Sequence, residues 1–374
     1  MEITWSFLAL AGASIWLAIL LVPWRPWSTS EFLDSASPVI KEELGEITVL
    51  IPARNENDTI ETTLSGLNAQ GNNLNIILID DQSTDGSAEV ACKVSTEKLC
   101  IISGKPLPPS WTGKLWALEQ GRRLIKTPLT LLIDADIELQ PGILVALLKI
   151  MKQKDLQLVS LMSELRMTGF WEKLLMPAFV YFFKLLYPFR LSNSRASKVA
   201  AAAGGCILLE TRLLEEIGGF QTLREELIDD CALARKVKSL GCRTWIGLTH
   251  SVRSLRAYNN LEAIWNMVAR NAFTQLYYSG LLLILYTLIL VVAFWMPVAA
   301  LAFGTLVARG LAVIALFSMM LSYMPTLRFY HLSKWWALTM PLIGTLYLCM
   351  TWTSALRYWQ GKRSQWKGRI YTKT

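Results

Sequence analysis

Long apolar runs near both ends of the chain enclose a central stretch of ordinary polarity. Residues 5–24 contain no charged side chain, and about twenty such residues are enough for one helix to cross a bilayer. A secretory signal peptide is the alternative, but no basic segment precedes the run and no small-x-small cleavage pattern follows it. We therefore predict an uncleaved transmembrane anchor over residues 1–25.

A second apolar region covers residues 276–356 and is long enough for two to three further transmembrane helices. Many of the chain's 15 tryptophans lie near the ends of its apolar runs, which is typical of aromatic belts at a membrane surface. Pro341 and Gly344 weaken the last run as a membrane span. The three runs are residues 276–301, residues 311–325 with those that precede them, and residues 335–352.

The central stretch, residues 45–275, alternates short apolar runs with segments of helical periodicity. The apolar runs are typical of strands, and they cover residues 47–52, 74–79 and 129–139. Strands that alternate with helices predict a doubly wound α/β domain with a parallel or mixed sheet. Ligands of such sheets bind beyond the carboxyl ends of the strands. We therefore expect a ligand site at that edge.

Polar residues lie at the end of each predicted strand, so three strands would deliver them to one edge of the sheet. A carboxylate after the second strand can accept hydrogen bonds from a nucleobase or a ribose, whereas Asp85 has the pattern of a turn and helix cap. The residues at this edge are Pro52, Arg54 and Glu56, then Asp80 and Asp81, then Asp134 and Asp136.

Asp134 and Asp136 lie in the apolar run of the third predicted strand and are separated by one alanine. Because side chains alternate along a strand, the two carboxylates would point the same way. Two such oxygen donors suit a hard cation, Mg²⁺ or Mn²⁺, that also binds phosphates. The alternative is a solvated turn at a strand end, since this short motif is common by itself.

Two further segments carry charges at predicted helix starts. Lys114 follows Gly113, where a cation and free backbone N–H groups could meet a diphosphate, although a solvated lysine is the alternative. Asp229 and Asp230 precede an amphipathic segment. They either interact with the helix dipole or supply a general base near a reacting centre.

Residues 174–190 form an almost entirely apolar and aromatic segment inside the central stretch. As a core helix this segment would be unusually apolar, so we predict a helix at the bilayer surface that would place the site against lipid.

The formal net charge of +8 could indicate nucleic acid, but the basic residues are scattered or gathered in residues 357–374. Basic residues beside apolar spans more often contact anionic lipid headgroups, so we expect a basic tail and no nucleic-acid partner. The six cysteines form no CxxC pair and only two histidines are present. Reduced thiols are therefore expected, and a zinc site or histidine-based chemistry is not.

Six segments occur in one order over residues 47–241 and resemble family 2 glycosyltransferases of the GT-A fold. They are "IPARNE", "LIDDQSTDG", "TGKLWAL", "LIDADIEL", "AAAGGCILL…GGF" and "LIDDCALARKVKSLG". The membrane-bound glycosyltransferases associated with hopanoid biosynthesis resemble this chain in more detail. That resemblance rests on "PSWTGKLWAL", "MPAFVYFFKLLYPF", "AAAAGGC", "IDDCALA" and "MVARNAFTQLYYSG".

The resemblance implies roles for the residues of the predicted site. Asp80 or Asp81 would contact the nucleobase. Asp134 and Asp136 would hold the metal ion and the diphosphate, with Asp136 the more direct metal ligand. Asp230 would be the catalytic base. Asp229 departs from the family, which usually has Glu there. The QxxRW signature of processive synthases is also absent, since Trp265 and Arg270 occur in another order, which favours transfer of a single sugar.

The expected reaction is metal-dependent, inverting transfer from a nucleotide-sugar to a hydroxyl of a membrane lipid. A polyprenyl phosphate acceptor, a membrane nucleotidyltransferase, and a scaffold or transport protein are the alternatives.

Because nucleotide-sugars are cytosolic, the α/β domain should face the cytosol at a bacterial inner membrane. Three full spans after that domain would put the basic tail outside, against the positive-inside tendency. Either the last run does not span the membrane, or the tendency fails in this protein.

Overall fold

The computed structural model describes residues 2–35, 42–94, 98–361, 365–366 and 369–370 of the 374-residue chain. These residues form two compact units. The helical unit lies within residues 1–30, 167–190 and 258–364, and the sheet unit lies within residues 31–166, 191–257 and 365–374. Half of the predicted basic tail lies outside the described residues.

The strands of the described residues alternate with helices through the sheet unit. In chain order they are β1 (Glu42–Glu43), β2 (Ile47–Ala53), β3 (Gly71–Asn72), β4 (Asn75–Asp80), β5 (Leu99–Ser103), β6 (Leu129–Ile133), β7 (Ile137–Leu139), β8 (Leu158–Glu164), β9 (Cys206–Glu210), β10 (Thr244–Ser254), β11 (Gln365–Trp366) and β12 (Arg369–Ile370).

The α-helices fall in both units, and a π-helical turn at Val291–Trp295 joins two of them. In chain order they are α1 (Glu2–Leu21), α2 (Ile60–Asn68), α3 (Ser87–Lys93), α4 (Gly113–Arg122), α5 (Ile143–Lys154), α6 (Phe170–Leu186), α7 (Phe189–Ser192), α8 (Thr211–Glu216), α9 (Asp229–Ser239), α10 (Leu261–Asn271), α11 (Gly280–Leu290), α12 (Met296–Phe303), α13 (Leu306–Phe329) and α14 (Met340–Trp359).

The main sheet has eight strands in the order β5-β4-β2-β6-β9-β8-β10-β7. β2, β4, β5 and β6 are parallel, and so are β8 and β10. β9 runs antiparallel to its neighbours, and β7 runs antiparallel to β10. The mixed sheet confirms the predicted α/β fold of GT-A type.

β2 shows why the strands are continuous apolar runs. Each of its seven residues is buried. Val49 and Ile51 pack into one hydrophobic cluster, and Leu50 packs into another. Since successive side chains point to opposite faces, both faces of the sheet are covered, which favours apolar residues at most positions of the strand.

The third predicted strand is two strands in the structure. β6 ends at Ile133, a turn covers the residues from Asp134 to Asp136, and β7 begins at Ile137. The backbone N–H of Ile137 donates to the carbonyl oxygen of Asp134 at 3.2 Å, and β7 then pairs with β10 at the far edge of the sheet. The prediction of one strand over residues 129–139 was therefore wrong, because the chain leaves β6 to pair with a distant strand.

Within the part of the chain that the structure describes, three helical stretches are long and apolar enough to cross a membrane. They are Thr4–Leu21, Gly280–Phe303 and Leu306–Phe329. This confirms the expected N-terminal helix and two of the C-terminal helices. The third C-terminal run lies in α14, which is not one of the three.

The apolar segment 174–190 lies mostly in α6, which belongs to the helical unit. The hydroxyl groups of Tyr181 and Ser322 are 2.7 Å apart, and the Tyr347 hydroxyl donates to the carbonyl oxygen of Leu175 at 2.9 Å. One face of α6 is therefore packed against α13 and α14, which accounts for much of its apolar character. Its position at the bilayer surface stays a prediction.

Candidate active site

Lys114 lies between the two acidic pairs that the sequence analysis singled out. It is the second residue of α4, and its ammonium nitrogen lies 2.7 Å from Asp134 Oδ1 and 3.8 Å from Asp229 Oδ2. Burial acts against its charged form, but the carboxylates, Asp134 first, outweigh burial and raise the pKa of Lys114 above its ordinary value. Lys114 is therefore a permanent cation that connects the end of β6 to the start of α9.

Asp230 is held by backbone N–H groups at both carboxylate oxygens. Gly204 donates to Oδ2 at 2.9 Å, and Cys231 donates to Oδ1 at 2.7 Å. Burial, and then the neighbouring Asp229 carboxylate, raise the pKa of Asp230 to about 6, against the lowering effect of Lys114 and the two N–H groups. A carboxylate with this pKa is ionised at neutral pH and is a stronger base than an ordinary aspartate.

A pocket of the sheet unit brings these groups together. Its polar lining consists of the ammonium group of Lys114 and three carboxylates, and the rest is mostly apolar. The lining residues are Pro52, Lys114, Leu115, Leu118, Leu132, Ile133, Asp134, Gly204, Ile207, Phe220, Leu223, Asp229, Asp230 and Leu233.

Asp136 has a different cationic partner from Asp134. Its Oδ2 atom lies 2.8 Å from Arg256 Nε, and another nitrogen of the same guanidinium lies 3.6 Å from Glu56 Oε1. The two aspartates of the motif are thus paired with cations from two separate elements, α4 and the segment after β10. Arg256 was missed by the sequence analysis because β10, which it follows, has many polar residues and was not predicted as a strand. Polar residues at strand ends were the signal used for the other strands.

The ends of β2 and β4 are joined by hydrogen bonds. Arg54 donates to the carbonyl oxygen of Asp81 at 2.5 Å and to that of Gln82 at 3.1 Å. Asp80 is partly exposed and its Oδ1 accepts from the Ser83 N–H at 3.2 Å, while Asp81 is fully buried. A ligand at this edge can therefore reach the side chain of Asp80 but not that of Asp81.

Asp85 has the local role that the sequence predicts. Its carboxylate accepts from the backbone N–H groups of Ser87 at 3.1 Å and Asn57 at 3.0 Å. These bonds fix the β4–α3 turn against the β2–α2 loop.

The donor atoms at this edge fit a hard divalent cation. Among the described residues there is no group of three or more His, Cys, Asp or Glu side chains that could hold a metal ion. Mg²⁺ and Mn²⁺ do not require such a cage, because Mg²⁺-type sites use one or two carboxylates and complete the shell with water and substrate phosphates. Asp134 and Asp136 are the residues at this edge that could supply those carboxylates.

The family model for "Glycosyltransferase like family 2" matches residues 45–274. The chain belongs to this glycosyltransferase family. The resemblance noted in the sequence is thereby confirmed at the level of the family, and the protein is an enzyme that transfers sugars.

One stretch of this glycosyltransferase is similar in sequence to a relative of known activity. It is 32% identical over 98 residues to the 4,4'-diaponeurosporenoate glycosyltransferase of Staphylococcus haemolyticus, and the match covers 26% of each chain. The match therefore spans about a quarter of that relative's length.

Two solved structures are also similar. The mannosyltransferase PcManGT of Pyrobaculum calidifontis, in complex with GDP-Man and Mn²⁺, has a TM-score of 0.60 at 20% identity, covering 94% of this chain and 99% of that chain. The glucosyl-3-phosphoglycerate synthase of Mycobacterium tuberculosis, in complex with Mn²⁺ and UDP-glucose, has a TM-score of 0.42 at 18% identity, covering 65% and 86%. The likeness to the mannosyltransferase establishes a shared fold.

Proposed function

We propose that this glycosyltransferase transfers a single sugar from a nucleotide-sugar to a hydroxyl of a membrane lipid, with inversion at the anomeric carbon. A UDP-sugar is our first choice of donor, and a hopanoid is the acceptor that the sequence resemblance suggests. The observation that carries the proposal is the position of Lys114, which contacts Asp134 on one side and Asp229 on the other. The Lys114 ammonium group thus lies between Asp134, which we assign to the leaving diphosphate, and the pair Asp229 and Asp230, which contains the proposed base.

The donor half of the site consists of strand-end residues. Asp134 and Asp136 would hold Mg²⁺ or Mn²⁺, which when bound neutralises charge on the leaving diphosphate. The presence of GDP-Man and Mn²⁺ in the similar mannosyltransferase is consistent with this assignment. Lys114 adds a permanent positive charge beside Asp134. Pro52, Arg54 and Glu56 would complete the donor site.

Asp80 is the member of its pair that we assign to the nucleobase. Its side chain is partly exposed at the end of β4, and the carboxylate keeps lone pairs beyond the bond that it accepts from Ser83. Asp81 is fully buried, and its backbone carbonyl accepts from Arg54, so we assign it to the support of the β2 and β4 ends.

Asp230 is the base in this proposal. The two backbone N–H groups fix its carboxylate, and its raised pKa lets it take the proton of an acceptor hydroxyl as the new bond forms. The hydroxyl oxygen attacks the anomeric carbon on the face opposite the leaving diphosphate, which inverts that centre. Asp229 keeps Lys114 close and raises the basicity of its neighbour.

The acceptor is proposed to be a lipid because the same chain carries helices that can span a membrane. The relative from Staphylococcus haemolyticus is named for a diaponeurosporenoate substrate, which agrees with an acceptor of low polarity. We place residues 1–25 and 276–356 in a bacterial inner membrane, the catalytic domain of residues 45–275 at its cytosolic side, and segment 174–190 at the bilayer surface.

Asp230 also favours a hydroxyl acceptor over a polyprenyl phosphate in this proposal. A phosphate acceptor is already an anion and needs no base, whereas this aspartate is fixed in position and has a raised pKa. Membership of a glycosyltransferase family favours sugar transfer over nucleotidyl transfer, which would release diphosphate, and over a scaffold or transport role.

Product identification tests the proposal. The full-length protein in membranes would be incubated with labelled UDP- and GDP-sugars, and the lipid extract analysed by mass spectrometry. We expect a lipid with one added hexose joined to a hydroxyl oxygen, and no such product with Asp230→Asn. A glycosyl phosphate lipid that is stable to base and labile to acid, or no lipid-linked sugar, would contradict the proposed acceptor.

A further inference from the structure

Arg256 contacts two carboxylates that are both largely buried. The exposed fraction of the side chain is 11% for Asp136 and 10% for Glu56, while Arg256 itself is 36% exposed. The guanidinium therefore covers the acidic pair from the solvent side and keeps part of its own surface accessible.

The backbone around Arg256 is fixed to the turn that carries Asp136. The N–H of Leu255 donates to the carbonyl oxygen of Asp136 at 2.8 Å, directly before Arg256. The base of the arginine side chain is therefore held beside the carboxylate, and rotation about side-chain bonds is sufficient to move the guanidinium away. No movement of the sheet is required.

Arg256 contacts the carboxylate of Asp136, which a divalent cation would also use. A guanidinium 2.8 Å from one oxygen of this carboxylate and a metal ion about 2.0–2.1 Å from either oxygen would repel each other, because both are positively charged. Arginine in turn matches phosphate with two parallel N–H donors. In the proposed function the donor diphosphate lies beside the same two aspartates.

We propose that Arg256 is a positioning residue of the donor site, which competes with the divalent cation for Asp136 and turns to the donor diphosphate when the cation binds. This inference rests on the proposed function. With this exchange, the Asp136 carboxylate is always paired with a positive charge. Arg256 supplies that charge before donor binding, and the divalent cation supplies it afterwards. The exchange also couples cation binding to nucleotide binding, because each favours the arginine position that the other needs.

Cation binding can be measured without turnover. The full-length protein in detergent micelles would be titrated with Mn²⁺, following the loss of the free-ion signal by electron paramagnetic resonance, alone and with UDP or GDP. We expect Arg256→Gln to bind Mn²⁺ alone roughly 5- to 30-fold more tightly than the unchanged protein, because the competing charge is gone. The increase in Mn²⁺ affinity that the nucleotide produces should be smaller in this variant, because the diphosphate has lost its arginine.

Two control variants separate this effect from general changes in charge or folding. Arg253→Gln removes a cation that lies three residues before Arg256, within β10, where Arg253 pairs with Glu164 at 3.3 Å, and it should leave Mn²⁺ affinity unchanged. Arg256→Lys keeps a cation beside Asp136 but cannot form the two parallel bonds to phosphate. It should therefore retain weak Mn²⁺ binding alone and lose much of the nucleotide effect.

The outcomes show whether the competition by Arg256 fails alone or together with the proposed function on which it rests. In one outcome, the unchanged protein binds Mn²⁺ in the presence of nucleotide, but without nucleotide Arg256→Gln and the unchanged protein have the same Mn²⁺ affinity. The proposed competition is then wrong, and the metal-dependent function stands. An Arg256→Lys variant that matches Arg256→Gln in Mn²⁺ affinity also contradicts competition by charge. If neither protein binds Mn²⁺ with either nucleotide, both the metal in the proposed function and this inference are wrong.

Discussion

Gly204 donates its backbone N–H to Asp230 Oδ2 at 2.9 Å, and it does so from a position where a side chain would enter the site. A Cβ atom at Gly204 would lie 3.0 Å from the ammonium nitrogen of Lys114 and 3.5 Å from Asp230 Oδ2. The absence of a side chain at this residue thus lets an ammonium group and a fixed carboxylate approach the same stretch of backbone.

Gly204→Ala should lower turnover with little loss of stability. The Lys114 ammonium is the far end of a flexible side chain, so it can move aside, but it then leaves its position beside Asp134. We expect kcat to fall by roughly tenfold or more, since small displacements of positioning groups are costly for catalysis. Gly45→Ala is the matched control, because its Cβ would meet nothing closer than 3.8 Å. Equal kcat values for the two variants would show that Gly204 does not shape the site.

Asp230→Asn should separate chemistry from binding. Asparagine preserves the shape of the side chain but cannot take the acceptor proton, so we expect kcat to fall by about 10²–10⁴-fold with little change in donor affinity. Asp229→Asn should have the smaller effect, because the base remains. The assay measures turnover and the donor dissociation constant for both variants. If Asp229→Asn proves the more damaging, the base is Asp229.

The pH dependence of kcat/KM should report the raised pKa of Asp230. The base acts when deprotonated, so activity should be complete well above pH 6 and fall as the pH drops through about 6. Asp229→Asn removes a neighbouring negative charge that raises this pKa, so its acid limb should move to lower pH. The measurement is the pH profile of kcat/KM for both proteins. A limb that stays in place, or that moves to higher pH, would contradict the assignment.

Removal of the divalent cation should abolish transfer reversibly. Excess chelator should stop the reaction, and added Mg²⁺ or Mn²⁺ should restore it, because the leaving diphosphate needs the neutralising charge. Asp136→Ala should be inactive while still folded and inserted in the membrane, as judged by its melting temperature and membrane fraction. Full activity of the unchanged protein in excess chelator would rule out the metal-dependent reaction.

The side of the membrane can be tested with the exposed Cys92. In a variant that keeps Cys92 alone, a membrane-impermeant maleimide should label inverted vesicles and fail to label intact cells, because the donor sugar is cytosolic. Cys206 is buried and provides the matched control, which should react from neither side unless the protein is unfolded. Labelling of Cys92 in intact cells would overturn the cytosolic placement.

Much of the architecture follows from the sequence because its signals are local. The N-terminal apolar run and the first two C-terminal runs become helices that can span a membrane, and the short apolar runs followed by polar residues become β2, β4 and β6. The strand ends also indicated the candidate site residues, because ligands of this fold class bind at the carboxyl ends of the parallel strands. Family motifs in their order were sufficient to predict the enzyme class.

The pairing of charges was decided by the tertiary structure. Nothing near Asp134 in the sequence indicates that Lys114 is its partner, or that Asp136 pairs with Arg256, 120 positions further on. These contacts depend on the end of β6 at Ile133 and on the pairing of β7 with β10. Sheet pairing joins residues that are distant along the chain, and the burial it produces sets the pKa of Asp230. A local pattern identifies charged groups, but the tertiary fold determines which of them meet.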